Sequence, residues 1–205
     1  MLSPRTQEGT LMAKKSRIGF GIDIGGSGIK GAPVDLATGT FTADRLRIPT
    51  PQPATPEAVS KVLTELVDSF YLPKDTRIGL TFPAVVKNGV AFSAANVDDS
   101  WIGTDIAQVA RDATGLDAYV VNDADAAGYA EIVYGAAKGR SGLVMVMTLG
   151  TGIGSAMIYD GVLVPNSELG HLELDGFDAE KRASSGVRER EGWTFEEWAP
   201  QLQRY

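Results

Sequence analysis

The sequence predicts a soluble α/β protein in which two strand, glycine-turn, strand units face each other across a cleft. Three observations predict it. Apolar runs of strand type alternate along the chain with amphipathic helix patterns. The stretch 19–31, G-F-G-I-D-I-G-G-S-G-I-K-G, has a counterpart of the same design far downstream at 148–156, T-L-G-T-G-I-G-S-A. Between the two, a short strand empties into Asn122-Asp123-Ala124-Asp125 at the head of an Ala-rich helix. A repeated unit suggests an internal duplication, and turns of small residues let backbone N–H groups approach phosphate oxygens closely. The competing reading, two unrelated Gly-rich hairpins with a solvent-facing lysine, leaves the polar junction between them without a purpose.

Composition narrows the function classes. With 43% hydrophobic and 22% charged residues in 205, the chain folds rather than staying disordered. A net charge of −7 argues against a general nucleic-acid binder. There is no cysteine, so thiolate catalysis, disulfides and cysteine zinc sites are excluded. No apolar run is long enough for a membrane helix and no signal-like core opens the chain, so no membrane partner is expected and the cytoplasm is the expected location.

In chain order, residues 1–16 read as a flexible leader. A strand at about 17–24 passes through the glycine turn into a second at 28–35, and a third is expected around 41–48. The first turn fits neither G-x-G-x-x-G nor G-x-x-x-x-G-K-[ST]. Four prolines between 49 and 56 mark a connection. Thr55 then caps a helix with Pro56 at its first position, carrying Val59, Val62, Leu63, Leu66, Val67 and Phe70 on one stripe and ending by Pro73. A strand at 77–82, an Asn88-Gly89 hairpin and a polar loop closing on Trp101 follow; that loop reads either as a binding loop or as a surface loop with Trp101 tucked inward. A helix is expected at 104–114 and another at about 123–137, capped by Asn122 with Asp125 near its positive end. Capping uses one or two of these three polar groups, and a carboxylate at such a junction is well placed for a general base. Strands flank the second glycine turn. The segment 165–173, P-N-S-E-L-G-H-L-E, gathers Glu168, His171 and Glu173 around one glycine, with a structural histidine and a ligand histidine both open. Beyond 175 the simplest reading is one solvated helix laced with ion pairs, then an amphipathic helix started by Trp193, Phe195 and Trp198.

Four motifs together resemble the ROK sugar kinases, and within them the branch that uses inorganic polyphosphate: D-I-G-G-S-G-I-K at 23–30, V-N-D-A-D-A at 121–126, L-G-T-G-I-G at 149–154 and E-L-G-H at 168–171. The resemblance implies an actin-like ATPase (ribonuclease H-like) α/β fold of two lobes around a cleft, 17–122 and 123–205, with the second lobe truncated here. It implies a phosphotransferase acting on the 6-hydroxyl of glucose, and of mannose, with polyphosphate and/or ATP as donor. Asp123 resembles the family's general base, and Asn96, Asn122, Asp123, Glu168 and His171 its sugar contacts. Gly25, Gly26, Ser27, Gly28, Lys30, Thr148, Gly150, Thr151 and Gly152 resemble its donor-phosphate contacts, and Asp23 the acid that organises Mg²⁺. Asp125 stands where many relatives carry asparagine. The family's zinc cysteines are replaced by A-S-S-G-V-R-E-R at 183–190, so no zinc is expected. An ATP-only hexose kinase and a non-catalytic sugar-sensing regulator are the alternatives, and a homodimer is the assembly kept open.

Overall fold

The structure, a computed structural model, describes residues 17–94 and 97–205. The leader at 1–16 and the expected sugar contact Asn96 lie outside the described residues. Strand β1 (Ile18–Ile24) buries Phe20, Ile22 and Ile24 on one face and turns Gly19, Gly21 and Asp23 to the other, the period of a half-covered strand. It returns through the first glycine turn as antiparallel β2 (Ile29–Asp35), which sets Asp23 opposite Lys30. The expected third strand is two short pieces, β3 (Thr40–Phe41) and β4 (Leu46–Ile48), both paired with β2. Pro33 lies between the two pairings and has no N–H to continue the ladder.

Helix α1 (Pro56–Asp68) starts as expected, with the Thr55 side chain accepting from Ala58 N–H and the predicted stripe buried. It stops short of Pro73. The N–H and hydroxyl of Ser69 both fold back on the Glu65 carbonyl, and Phe70 leaves the helix to pack its ring 5.2 Å from that of Phe20. Strand β5 (Arg77–Phe82) lies parallel to β1. The Asn88-Gly89 hairpin joins β6 (Val86–Lys87) to β7 (Val90–Ala91), with φ of 51° and 83° at the two turn residues. Trp101 is fully buried against Phe82 and donates its indole N–H to the Ala54 carbonyl at 2.8 Å, so this tryptophan is tucked inward. Helix α2 (Ile106–Thr114) is capped by Asp105 and closed by left-handed Gly115, and β8 (Ala118–Asn122) adds parallel to β5. The sheet order is β3-β2-β1-β5-β8, with β4 also on β2. Helices α1 and α2 pack together over the face carrying Phe20, Ile22, Ile78 and Leu80, and this is the core of the first half.

Helix α3 (Asp123–Val133) follows β8 without a linker and ends before the expected 137, where the Glu131 carboxylate accepts from Ala136 N–H. It lies on an antiparallel sheet of β9 (Leu143–Leu149), β10 (Ile153–Tyr159) and β11 (Val162–Val164). The opposite face of that sheet leaves Leu143, Met145, Tyr159, Val162 and Val164 exposed. The β9-turn-β10 unit repeats β1-turn-β2, but β1 carries β5 on its other edge whereas β9 has no further neighbour among the described residues. A small hairpin of β12 (Glu173–Leu174) and β13 (Phe177–Asp178) comes next. The single charged helix expected beyond 175 is two helices, α4 (Glu180–Ala183) and α5 (Ser185–Glu191). Ser184 between them is extended and buried, and its hydroxyl accepts from Val187 N–H to cap α5. Helix α6 (Phe195–Arg204) opens on a Thr194–Glu197 capping box and anchors Trp198 by its indole N–H to the Ala183 carbonyl. Among the described residues no helix is long and apolar enough to cross a membrane.

Candidate active site

The parallel strands β1, β5 and β8 end together, and the candidate site lies beyond those carboxyl ends, where open α/β sheets bind ligands. Asp23, Thr81 and Val121 are neighbours in register, so Asp23 and the Asn122-Asp123 junction sit two strand spacings apart, roughly 10 Å. The Thr81 hydroxyl donates to one Asp23 oxygen at 2.9 Å, and the Lys30 ammonium pairs with the other at 3.2 Å. Lys30, expected to serve the phosphate donor, is thus the partner of the acid expected to serve the metal. At the first turn the Gly25 carbonyl accepts from the Thr50 hydroxyl and the Ser27 carbonyl from the Arg47 guanidinium, each at 2.5 Å. The N–H groups of Gly26, Ser27 and Gly28 donate to nothing among the described residues.

At the head of α3, Asn122 is a scaffold residue. Its oxygen accepts from Ala124 and Asp125 N–H at 2.8 and 3.2 Å, and its amide donates to the Ala84 carbonyl, leaving one N–H. Asp123 is exposed and accepts only its neighbour's N–H, from Ala124 at 3.0 Å. Asp125 is buried; one oxygen accepts from Asn166 N–H at 2.8 Å and the other has no partner. Asn166 in turn bonds Val86 through both its amide oxygen and its amide nitrogen, as a strand neighbour would. The chain Asp125–Asn166–Val86 ties the loop before Glu168 to the first half of the molecule.

The second turn is held from the other side. Gly186 N–H donates to the Gly150 carbonyl, and Glu180 accepts Ile153 N–H at 3.1 Å while its other oxygen lies 3.9 Å from His171 Nδ1. Leu169 N–H donates to the Ser155 hydroxyl, and a Cβ at Gly170 would fall 2.1 Å from the Ile153 carbonyl oxygen, so E-L-G-H lies directly against the start of β10. A cavity of about 200 Å³ opens beside the turn, lined by Thr151, Gly186, Lys181 and Arg190 among others. Nearby, the guanidinium groups of Arg182 and Arg188 lie over the rings of Phe177 and Phe195.

Electrostatics join these parts. Although Glu168 is solvent-accessible, desolvation raises its carboxyl above the ordinary value; His171 opposes the rise, and Asp123, Asp125 and Glu180 add to it. The expected base and the expected sugar motif therefore share one charged cluster. Among the described residues, no set of three or more acids and histidines is arranged to hold a metal ion. Asp23, the acid expected to organise Mg²⁺, has both oxygens engaged, by Thr81 and Lys30.

The pKa of Asp125 is also raised, first by burial, against the Asn166 bond and with help from Asp123. A carboxyl raised in the folded state contributes stability that is complete below its ordinary value and is lost as pH rises through the folded value. Asp125→Asn keeps an oxygen for Asn166 and has no charge to bury. Its stability relative to wild type is therefore expected to improve steadily from acidic to neutral pH, read by denaturant unfolding at each pH. A pH-independent difference would refute the burial account.

Of the predicted residues, the structure gathers Asp23, Lys30 and the first turn at one strand end, and Asn122, Asp123, Glu168, His171 and the second turn around the head of α3. Arg47, Thr50, Thr81, Asn166 and Glu180 were missed. Only Arg47 and Glu180 carry a charge that could have drawn notice, and nothing local marks either.

The fold defines an α/β protein of the actin-like ATPase class, structurally matching sugar kinases. It belongs to the ROK family, whose model matches residues 19–189. A polyphosphate glucokinase of Mycobacterium tuberculosis is 52% identical over 206 residues, covering 98% of this chain and 75% of that protein. The crystal structure of an inorganic polyphosphate/ATP-glucomannokinase from Arthrobacter sp. strain KM superposes with a TM-score of 0.86 at 51% identity, over 93% of this chain and 77% of that one. A ROK family glucokinase from Streptomyces griseus, solved with glucose and AMPPNP, matches at TM-score 0.70 and 26% identity, over 84% and 59% of the two chains.

Proposed function

We propose that this protein transfers a phosphoryl group from inorganic polyphosphate and/or ATP to the 6-hydroxyl of glucose, and of mannose. What supports the reading is the exposed Asp123 carboxylate at the head of α3, beyond the ends of β1, β5 and β8, with E-L-G-H held against β10 by the Leu169–Ser155 bond. A sugar hydroxyl is a poor nucleophile without alignment and a proton acceptor. Glu168 and His171, with Asn96, hold the sugar; the spare N–H of Asn122 reaches it beside Asp123, which takes the proton from the 6-hydroxyl. The donor phosphates lie against Gly25, Gly26, Ser27, Gly28 and Lys30 on one side and Thr148, Gly150, Thr151 and Gly152 on the other. Asp23 would hold Mg²⁺, which when bound supplies positive charge to the phosphoryl oxygens. The two lobes divide at 122/123, where β8 passes into α3, and the relatives' identity near one half supports extending their donor use to this chain.

The test is a phosphotransfer screen crossing glucose, mannose, fructose and N-acetylated hexosamines with ATP and polyphosphate. Transfer to glucose and mannose from both donors is expected. Transfer from ATP alone would make this an ATP-only hexose kinase, and sugar binding without any transfer would make it a sugar sensor.

A further inference from the structure

The first glycine turn carries a cation that the reading above does not use. Arg47 stands on β4 directly across from Lys30, so the row Arg47, Lys30, Asp23, Thr81 crosses four strands on the open face of the sheet. Its guanidinium lies on the turn itself. A Cβ at Gly28 would meet Arg47 Nε at 2.5 Å and Cζ at 2.7 Å, so only a glycine leaves room for it there. One N–H binds the Ser27 carbonyl at 2.5 Å, which masks the lone pairs that would otherwise repel an arriving anion. The rest of its five donors have no partner among the described residues, and the side chain is exposed. They adjoin the N–H groups of Gly26, Ser27 and Gly28, which donate to nothing among the described residues. Lys30 is held by Asp23, whereas Arg47 has no acidic partner among the described residues.

We propose that Arg47 is a donor-specificity residue that binds the phosphates of a polyphosphate chain beyond the third from its reacting end, where the chain leaves the cleft across the first turn. The proposal rests on the phosphotransfer reading. A nucleotide ends in a base and sugar after its third phosphate and has no further anion to place there. A polymer does, and guanidinium suits it because the planar fork binds phosphate oxygens in pairs.

The test compares wild type, Arg47→Gln and Arg47→Lys with long-chain polyphosphate and with ATP at saturating glucose over a series of salt concentrations. Arg47→Gln is expected to raise the polyphosphate KM about tenfold, as loss of one charged phosphate contact would. It should also flatten the dependence of log KM on log salt by about one, and change the ATP KM less than about twofold. Arg47→Lys should keep the salt slope and recover part of the affinity. If Arg47→Gln alters both donors in parallel, Arg47 only braces the turn and the proposal fails; it fails equally if neither donor responds. A wild type that uses ATP but not polyphosphate would overturn the donor reading itself, which the comparison separates from the failure of Arg47 alone.

Discussion

Asp123→Asn should lower kcat by a factor on the order of 10²–10⁴ while leaving glucose binding and the fold largely intact. The fold is protected because the carboxylate does little structural work. It is exposed at the first residue of α3 and accepts one N–H, from Ala124, which an asparagine oxygen can also accept. The helix is capped by Asn122, so the stability change is limited to one lost charge near a helix N-terminus, about 0.3–1 kcal/mol. What the amide lacks is the ability to take a proton from a sugar hydroxyl. Asp125 does not replace it, because it is buried and turned to the Asn166 N–H. Single-turnover and steady-state rates with glucose and either donor check this, and turnover near wild type would remove Asp123 from its role.

That the Asn122-Asp123 junction could be read from sequence while the contacts of Arg47 and Glu180 could not has a physical cause. The strand-to-helix junction at 121–126 is local, since apolar alternation, a capping residue and an Ala-rich run all lie within a few positions. Both glycine turns were legible for the same reason, as were the Thr55 cap with Pro56 and the Asn88-Gly89 hairpin. Contacts between distant segments leave no such trace. Arg47 meets Ser27 because β4 folds back on β2, and Glu180 meets Ile153 because two short helices stand where the charge pattern suggested one. The break at Ser184 followed from a buried hydroxyl capping α5 and from Trp198 reaching back to Ala183, a tertiary preference that outweighs the helical charge pattern. Likewise α1 ended early because Phe70 does more for the core off the helix, against Phe20, than on it.

The same dependence on distant contact makes Gly170→Ala the second large effect. Gly170 is buried in E-L-G-H, and the methyl carbon would fall 2.1 Å from the Ile153 carbonyl oxygen and 3.1 Å from its carbon, both backbone atoms. Ile153 cannot yield. It opens β10 in register with Leu149, and its N–H is held by Glu180. The loop must move instead, carrying Glu168 and His171 with it and straining the Leu169–Ser155 bond. Forcing a methyl into so tight a contact costs about 1–3 kcal/mol of stability. Displacing Glu168 and His171, the proposed sugar contacts, by about 1 Å should lower kcat/KM for glucose roughly 10²-fold. Gly79→Ala is the matched control, because a Cβ there meets nothing within 4 Å on an exposed strand position, and it should leave both stability and kcat/KM close to wild type. Denaturant unfolding and glucose kinetics on the two variants check the pair. If Gly170→Ala behaves like Gly79→Ala, the contact between E-L-G-H and β10 is not what holds the sugar side of the site in place.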